Sequence, residues 1–145
     1  METYLRFTPV PNLDAACGHI TLCMGPEEQI ARLGFSAVRG APPRDLVVRL
    51  DSRVMASMSH DEFVHPWQEA ANVGDVPRLA GTWAGYSFPL LEVRNSDWLR
   101  SFSEGQIFGW QREAARHFRF VSLGQTVDVL TAGDVAAEWV DVAST

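Results

Sequence analysis

The sequence predicts a single α+β domain over residues 1–145: an antiparallel sheet with a C-terminal β-meander, and three or four short helices packed on it. Three observations carry that expectation. Short runs of alternating apolar and polar residues recur along the chain, the mark of half-buried strands. Cap-like clusters precede several stretches with apolar residues at helical spacing. Strands and helices do not alternate regularly, and no glycine-rich turn follows a strand, which argues against a parallel nucleotide-binding sheet.

Taken in order, Thr3 to Phe7 reads as a short strand closed by Pro9 and Pro11. His19 to Met24 alternates, with Ile20, Leu22 and Met24 on one face and His19, Thr21 and Cys23 on the other. Gly25-Pro26-Glu27-Glu28 reads as a helix start, Ile30 and Leu33 as its apolar stripe and Gly34 as its end. Leu46 to Leu50 is a strand that the pattern extends toward Met55. Ser59-His60-Asp61-Glu62 matches a capping box ahead of Phe63, Trp67 and Ala70, with Pro66 offering an alternative start capped at His65. Loops are expected at Gly40-Ala41-Pro42-Pro43 and Gly74-Asp75-Val76-Pro77.

Strand character returns in Trp83 to Phe88 and Leu90 to Val93, and Asn95-Ser96-Asp97 caps a helix carrying Trp98, Leu99 and Phe102. Ile107, Trp110 and Ala114 mark a further helix running to about His117. A hairpin follows, His117 to Leu123 and Thr126 to Thr131 around Gly124-Gln125, pairing Phe120 with Val129 and Ser122 with Val127. Arg119, Val121, Asp128 and Leu130 fall on its mixed face. Val135 to Val140 completes the meander, with Val135, Ala137 and Trp139 on the apolar face and Glu138 opposite Asp128.

Composition narrows the function classes. With 46% hydrophobic and 21% charged residues the chain has the makings of a core and is not a disordered sequence. No stretch approaches the ~20 apolar residues of a membrane-spanning helix. The opening METYLRFTPV lacks a basic flank leading into an apolar run, and two cysteines make no secreted disulfide framework. A soluble, cytoplasmic protein without membrane contact is expected. All 12 basic residues are arginine, so no lysine can form a Schiff base or serve a phosphate loop. The net charge is −6, and after Arg119 only acids follow, which argues against nucleic acid and suits a basic protein partner.

Several clusters bear on chemistry. Cys17, His19 and Cys23 share a strand face, but the cysteines would stand about 20 Å apart at strand rise, too far to chelate one ion. No metal or cofactor is assigned. His60 to His65 is the densest titratable run, with Glu62 and His65 at helical spacing, and Glu113, Arg116 and His117 form a second acid–base candidate. Trp83 and Tyr86 stand among small residues that leave their faces open, as a partner anchor requires.

The leading expectation is a protein that acts by binding another protein, of inhibitor, immunity or adaptor type, through Trp83, Tyr86, Asp128, Asp134 and Glu138. The alternative is a small enzyme or small-molecule-binding protein using Glu62, His65 and His117 in a pocket between helices and sheet. A homodimer paired through an exposed sheet edge is a third reading.

Overall fold

The computed structural model describes residues 2–26, 28–35, 43–50, 54–61, 76–103, 105 and 114–142. Nine strands occur among them: β1 (Thr3–Arg6), β2 (His19–Met24), β3 (Gln29–Phe35), β4 (Arg44–Leu50), β5 (Val54–Asp61), β6 (Leu90–Arg94), β7 (Arg116–Val121), β8 (Gln125–Thr131) and β9 (Val135–Asp141). They build two sheets, one in the order β1-β6-β7-β8-β5 and the other β2-β3-β4-β9, with every ladder antiparallel. Alternation along the strands sends Ile20, Ala31, Leu33, Leu46, Val48 and Leu50 of the four-stranded sheet into one core with Leu90, Phe118, Phe120, Val127 and Val129 of the five-stranded sheet.

The fold is therefore mostly β, and the α+β expectation with three or four helices is corrected. Of the described residues 57% are strand and 7% helical, and no helix reaches seven residues. The sole α-helix among them is α1 (Asp97–Arg100), joined by a single 3-10 turn at Gly81–Trp83.

Where an expected helix falls on described residues and is absent, the reason is local. The β2–β3 connection closes a hairpin instead of opening a helix, with the Gly25 N–H donating to the Glu28 carbonyl at 2.7 Å. Pro26, its φ already set, serves the turn as well as it would serve a first helical residue. Beyond it the inward alternation is Ala31, Leu33, Phe35, while Ile30 joins the outer face. Ser59, His60 and Asp61, expected to cap a helix, lie in β5 opposite Val127, Thr126 and Gln125. Glu62 to Ala70 and the stretch around Ile107 and Trp110 lie outside the described residues, and His117, expected at a helix end, is in β7. The pattern extended toward Met55 divides into β4 and β5, which belong to different sheets. Trp83 to Phe88 is a turn, helped by Gly81 at φ 64° and Gly85 at φ 94°.

The C-terminal meander is corrected as well. The β7–β8 hairpin pairs Phe120 with Val127 and Phe118 with Val129, two residues from the expected register. Ser122 sets it: the Gln125 N–H donates to Ser122 Oγ at 2.9 Å and that hydroxyl donates to the Gln125 carbonyl at 2.8 Å. The turn thus centres on Leu123-Gly124. β9 then leaves this sheet and pairs with β4, placing Glu138 opposite Val47 rather than Asp128. Val135, Ala137 and Trp139 do face the core.

Candidate functional site

β6 and β7 run side by side at the centre of the five-stranded sheet, with Val93 opposite His117. After Arg94 the chain turns through Asn95, at φ 55°, and enters α1. Ser96 caps that helix by accepting the Leu99 N–H at 3.1 Å. The same hydroxyl lies 2.7 Å from His117 Nδ1. On the other side of the ring, His117 Nε2 lies 2.5 Å from Asp128 Oδ1, and Arg119 Nε donates to the same oxygen at 2.8 Å. Ser96, His117, Asp128 and Arg119 are all buried, and Trp98 packs its ring edge-on against the imidazole at 5.3 Å. A carboxylate only accepts, so in the neutral ring the proton sits on Nε2 and the Ser96 hydroxyl donates to Nδ1.

The chain of groups ends at a cleft of about 530 Å³ between the end of β6, α1 and the start of β7. Ser96 and His117 line it, and so do Glu92, Arg94, Arg100 and Arg116. Buried Glu92 accepts Arg116 Nε at 2.9 Å and Arg116 Nη2 at 3.2 Å, and Arg94 Nη2 approaches it at 3.3 Å. Arg116 is held further by Phe118, whose ring centre lies 4.7 Å from the guanidinium carbon. Arg100 pairs with Asp97 on the helix itself. One carboxylate therefore serves two guanidinium groups, which leaves the lining with excess positive charge in an acidic chain.

The expected site residues are distributed as follows. His117 and Asp128, assigned by sequence to different readings, are brought together in one network. Asp128 is wholly buried and so is withdrawn from any docking surface. Glu62 and His65 lie outside the described residues, as does Glu113. Trp83 and Tyr86 meet edge-on at 5.5 Å, with Tyr86 47% exposed. Asp134 is exposed in the β8–β9 turn, and Glu138 is exposed and paired with Arg49 at 3.3 Å. Cys17 is buried and Cys23 exposed, and both are free. Among the described residues no group of three or more His, Cys, Asp or Glu side chains is placed to hold a metal ion, and no helix is long and apolar enough to cross a membrane.

Sequence reasoning missed Ser96 as anything more than a cap, and missed the arginine lining. One signal was present: with β7 read as strand throughout, alternation sets His117 and Arg119 on one face, and the adjacent strand brings Asp128 to it. Comparison with protein-family models, curated proteins and solved structures finds no match for this chain.

Proposed function

We propose that this protein binds a small oxyanion-bearing molecule, a carboxylate or phosphate, in the cleft between β6, α1 and β7. The observation that carries the reading is the convergence of Arg94, Arg100 and Arg116 on one cleft in a chain of net charge −6. Planar guanidinium forks match carboxylate and phosphate oxygens two at a time. The volume of about 530 Å³ lies in the range of small-molecule sites. Glu92 orients Arg116 and part of Arg94, so the cleft meets its ligand with donors already placed.

The test is thermal unfolding with succinate, citrate and inorganic phosphate, each against sodium chloride of equal ionic strength. A binding anion at a hundredfold its Kd adds about 2.7 kcal/mol of stability, a rise of several degrees. The rise should vanish in Arg94→Ala/Arg100→Ala. Anions that do no more than sodium chloride, or a rise that survives in the double variant, would overturn the reading.

Docking of a protein partner is the second reading, and Tyr86 favours it. Tyr86 is 47% exposed against Trp83, in a turn where Gly81 and Gly85 leave open space. Tyr86→Ala, with charge reversal at Asp134 and Glu138, should weaken capture of a basic partner at unchanged melting temperature. Capture equal to that of the unaltered protein would remove this reading.

A further inference from the structure

We infer that Ser96 is an acyl-transfer nucleophile, with His117 as its general base and Asp128 as the positioning residue, acting on an ester that carries a second, anionic group. The inference rests on the anion-binding reading of the same cleft and adds a reaction to it.

Geometry carries the assignment. Nucleophile and base stand 2.7 Å apart and base and orienting carboxylate 2.5 Å apart, both within the reach that proton transfer requires. The order of groups, hydroxyl to imidazole to buried carboxylate, is that of activated serines on unrelated folds, which are recognised by geometry and role rather than chain order. Here Nδ1 faces the serine and Nε2 the carboxylate. Asp128 fixes the tautomer, and Arg119 on the same oxygen keeps the carboxylate in place. Ser96 sits on a turn from strand to helix behind a residue at positive φ, Asn95. Ser96 and His117 are buried but border the cleft, whereas Asp128 does not.

The reaction balances without a redox partner. Ser96 Oγ bonds to the ester carbonyl carbon as its proton passes to His117 Nδ1. The resulting tetrahedral oxyanion collapses, the bond to the alcohol oxygen breaks, and Nδ1 returns the proton to the departing alcohol. Water then gives a proton to Nδ1 while its oxygen adds to the acyl carbon. The bond to Ser96 Oγ breaks, the serine recovers its proton, and a carboxylic acid leaves. The arginines hold the anionic group of the substrate and place the ester over Ser96.

A fluorophosphonate probe tests this, because it phosphonylates an activated serine and spares an ordinary one. Trypsin cutting after Arg94 and Arg100 releases Asn95–Arg100, in which Ser96 is the one hydroxyl side chain. The expected result is a single adduct on that peptide, formed more slowly with succinate present. Ser96→Asn, which keeps a good helix cap, should fold and take no label. His117→Gln, if folded by melting temperature, should react at least about 10³-fold more slowly. Peptide mapping of the unaltered protein decides the matter even where that variant fails to fold. An unlabelled Asn95–Arg100 peptide overturns the inference. If succinate still stabilises the protein in that case, anion binding stands and only the reaction is lost; if it does not, both fall.

Discussion

Arg119 and Asp128 face each other directly across the β7–β8 ladder, and the Asp128 oxygen that accepts from Arg119 Nε at 2.8 Å also accepts from His117 at 2.5 Å. Both residues of the pair are buried. Removing one partner from a buried pair strands the other's charge at a cost of about 3–5 kcal/mol. Asp128→Ala should therefore lower the unfolding free energy, read from urea titration, by that amount. Glu138→Ala should cost at most about 1 kcal/mol, because Glu138 meets Arg49 at an exposed site where water screens both. Equal effects at the two positions would mean that Asp128 is not buried against Arg119.

That contrast also shows where the sequence is legible. Strand β2 has the bounds its alternation predicts, and Ser96 caps α1 as its neighbours imply, because both features depend on adjacent residues. The β7–β8 register slips by two residues without moving any side chain to the other face, so alternation cannot detect the slip. It was the slip that hid the Arg119–Asp128 pair. Which sheet β9 joins depends on β4, some ninety residues earlier, and local pattern carries no information about that choice. The helix expectation at Ile30 and Leu33 failed because a three-residue spacing fits a helix while the inward partners Ala31, Leu33 and Phe35 fit a strand equally well. The cleft was illegible for a related reason. Glu92 and Arg116 are brought together only by the β6–β7 pairing.

The two cysteines should differ sharply in reactivity. Burial pushes the Cys17 thiol up to about 12, while Cys23 is exposed. At pH 8, N-ethylmaleimide should add one equivalent, on Cys23, and a second only after denaturation. The same shift bears on stability. The unfolded thiol releases its proton near 9.0 and the folded thiol near 12, so its contribution is full below pH 9 and is lost as pH rises through 12. Tyr4, also raised by burial, acts in the same direction at higher pH. Cys17→Ala should flatten the alkaline decline of the urea midpoint. Two equivalents of label at equal rates on the folded protein would contradict the buried placement of Cys17.

Gly34 should accept a methyl group despite its crowded setting. It lies in β3 directly opposite His19, whose imidazole occupies the position an added Cβ would take. His19 is exposed, so its ring can swing to solvent, and alanine restricts the unfolded chain more than glycine does. Gly34→Ala should change stability by less than about 1 kcal/mol while moving the His19 ring resonances in an NMR spectrum. Unmoved resonances, or a loss of several kcal/mol, would show that the ring cannot leave.

Trp139 should tie the amino-terminal segment to the far edge of the four-stranded sheet. Its Nε1–H donates to the Pro11 carbonyl at 2.9 Å, its ring meets Phe35 edge-on at 5.2 Å, and the Arg44 guanidinium stacks 3.7 Å from its centre. Arg44 in turn donates to the Asn12 carbonyl at 3.0 Å. Residues 11 and 12 are thereby pinned just before Leu13, Ala15, Ala16 and Cys17 enter the core. Trp139→Phe keeps a ring for Phe35 and Arg44 but leaves the Pro11 carbonyl without its donor, at a cost of about 1 kcal/mol. Trp139→Ala removes the ring as well and should cost about 3 kcal/mol. The more telling readout is local: with the pin gone, the segment covering Cys17 opens more often, so maleimide should reach Cys17 faster in Trp139→Ala than global destabilisation alone accounts for. A core variant of matched stability, such as Val129→Ala, provides that comparison. Equal Cys17 labelling in the two variants would mean that the segment opens only when the whole protein unfolds, and that Trp139 stabilises the fold without pinning it.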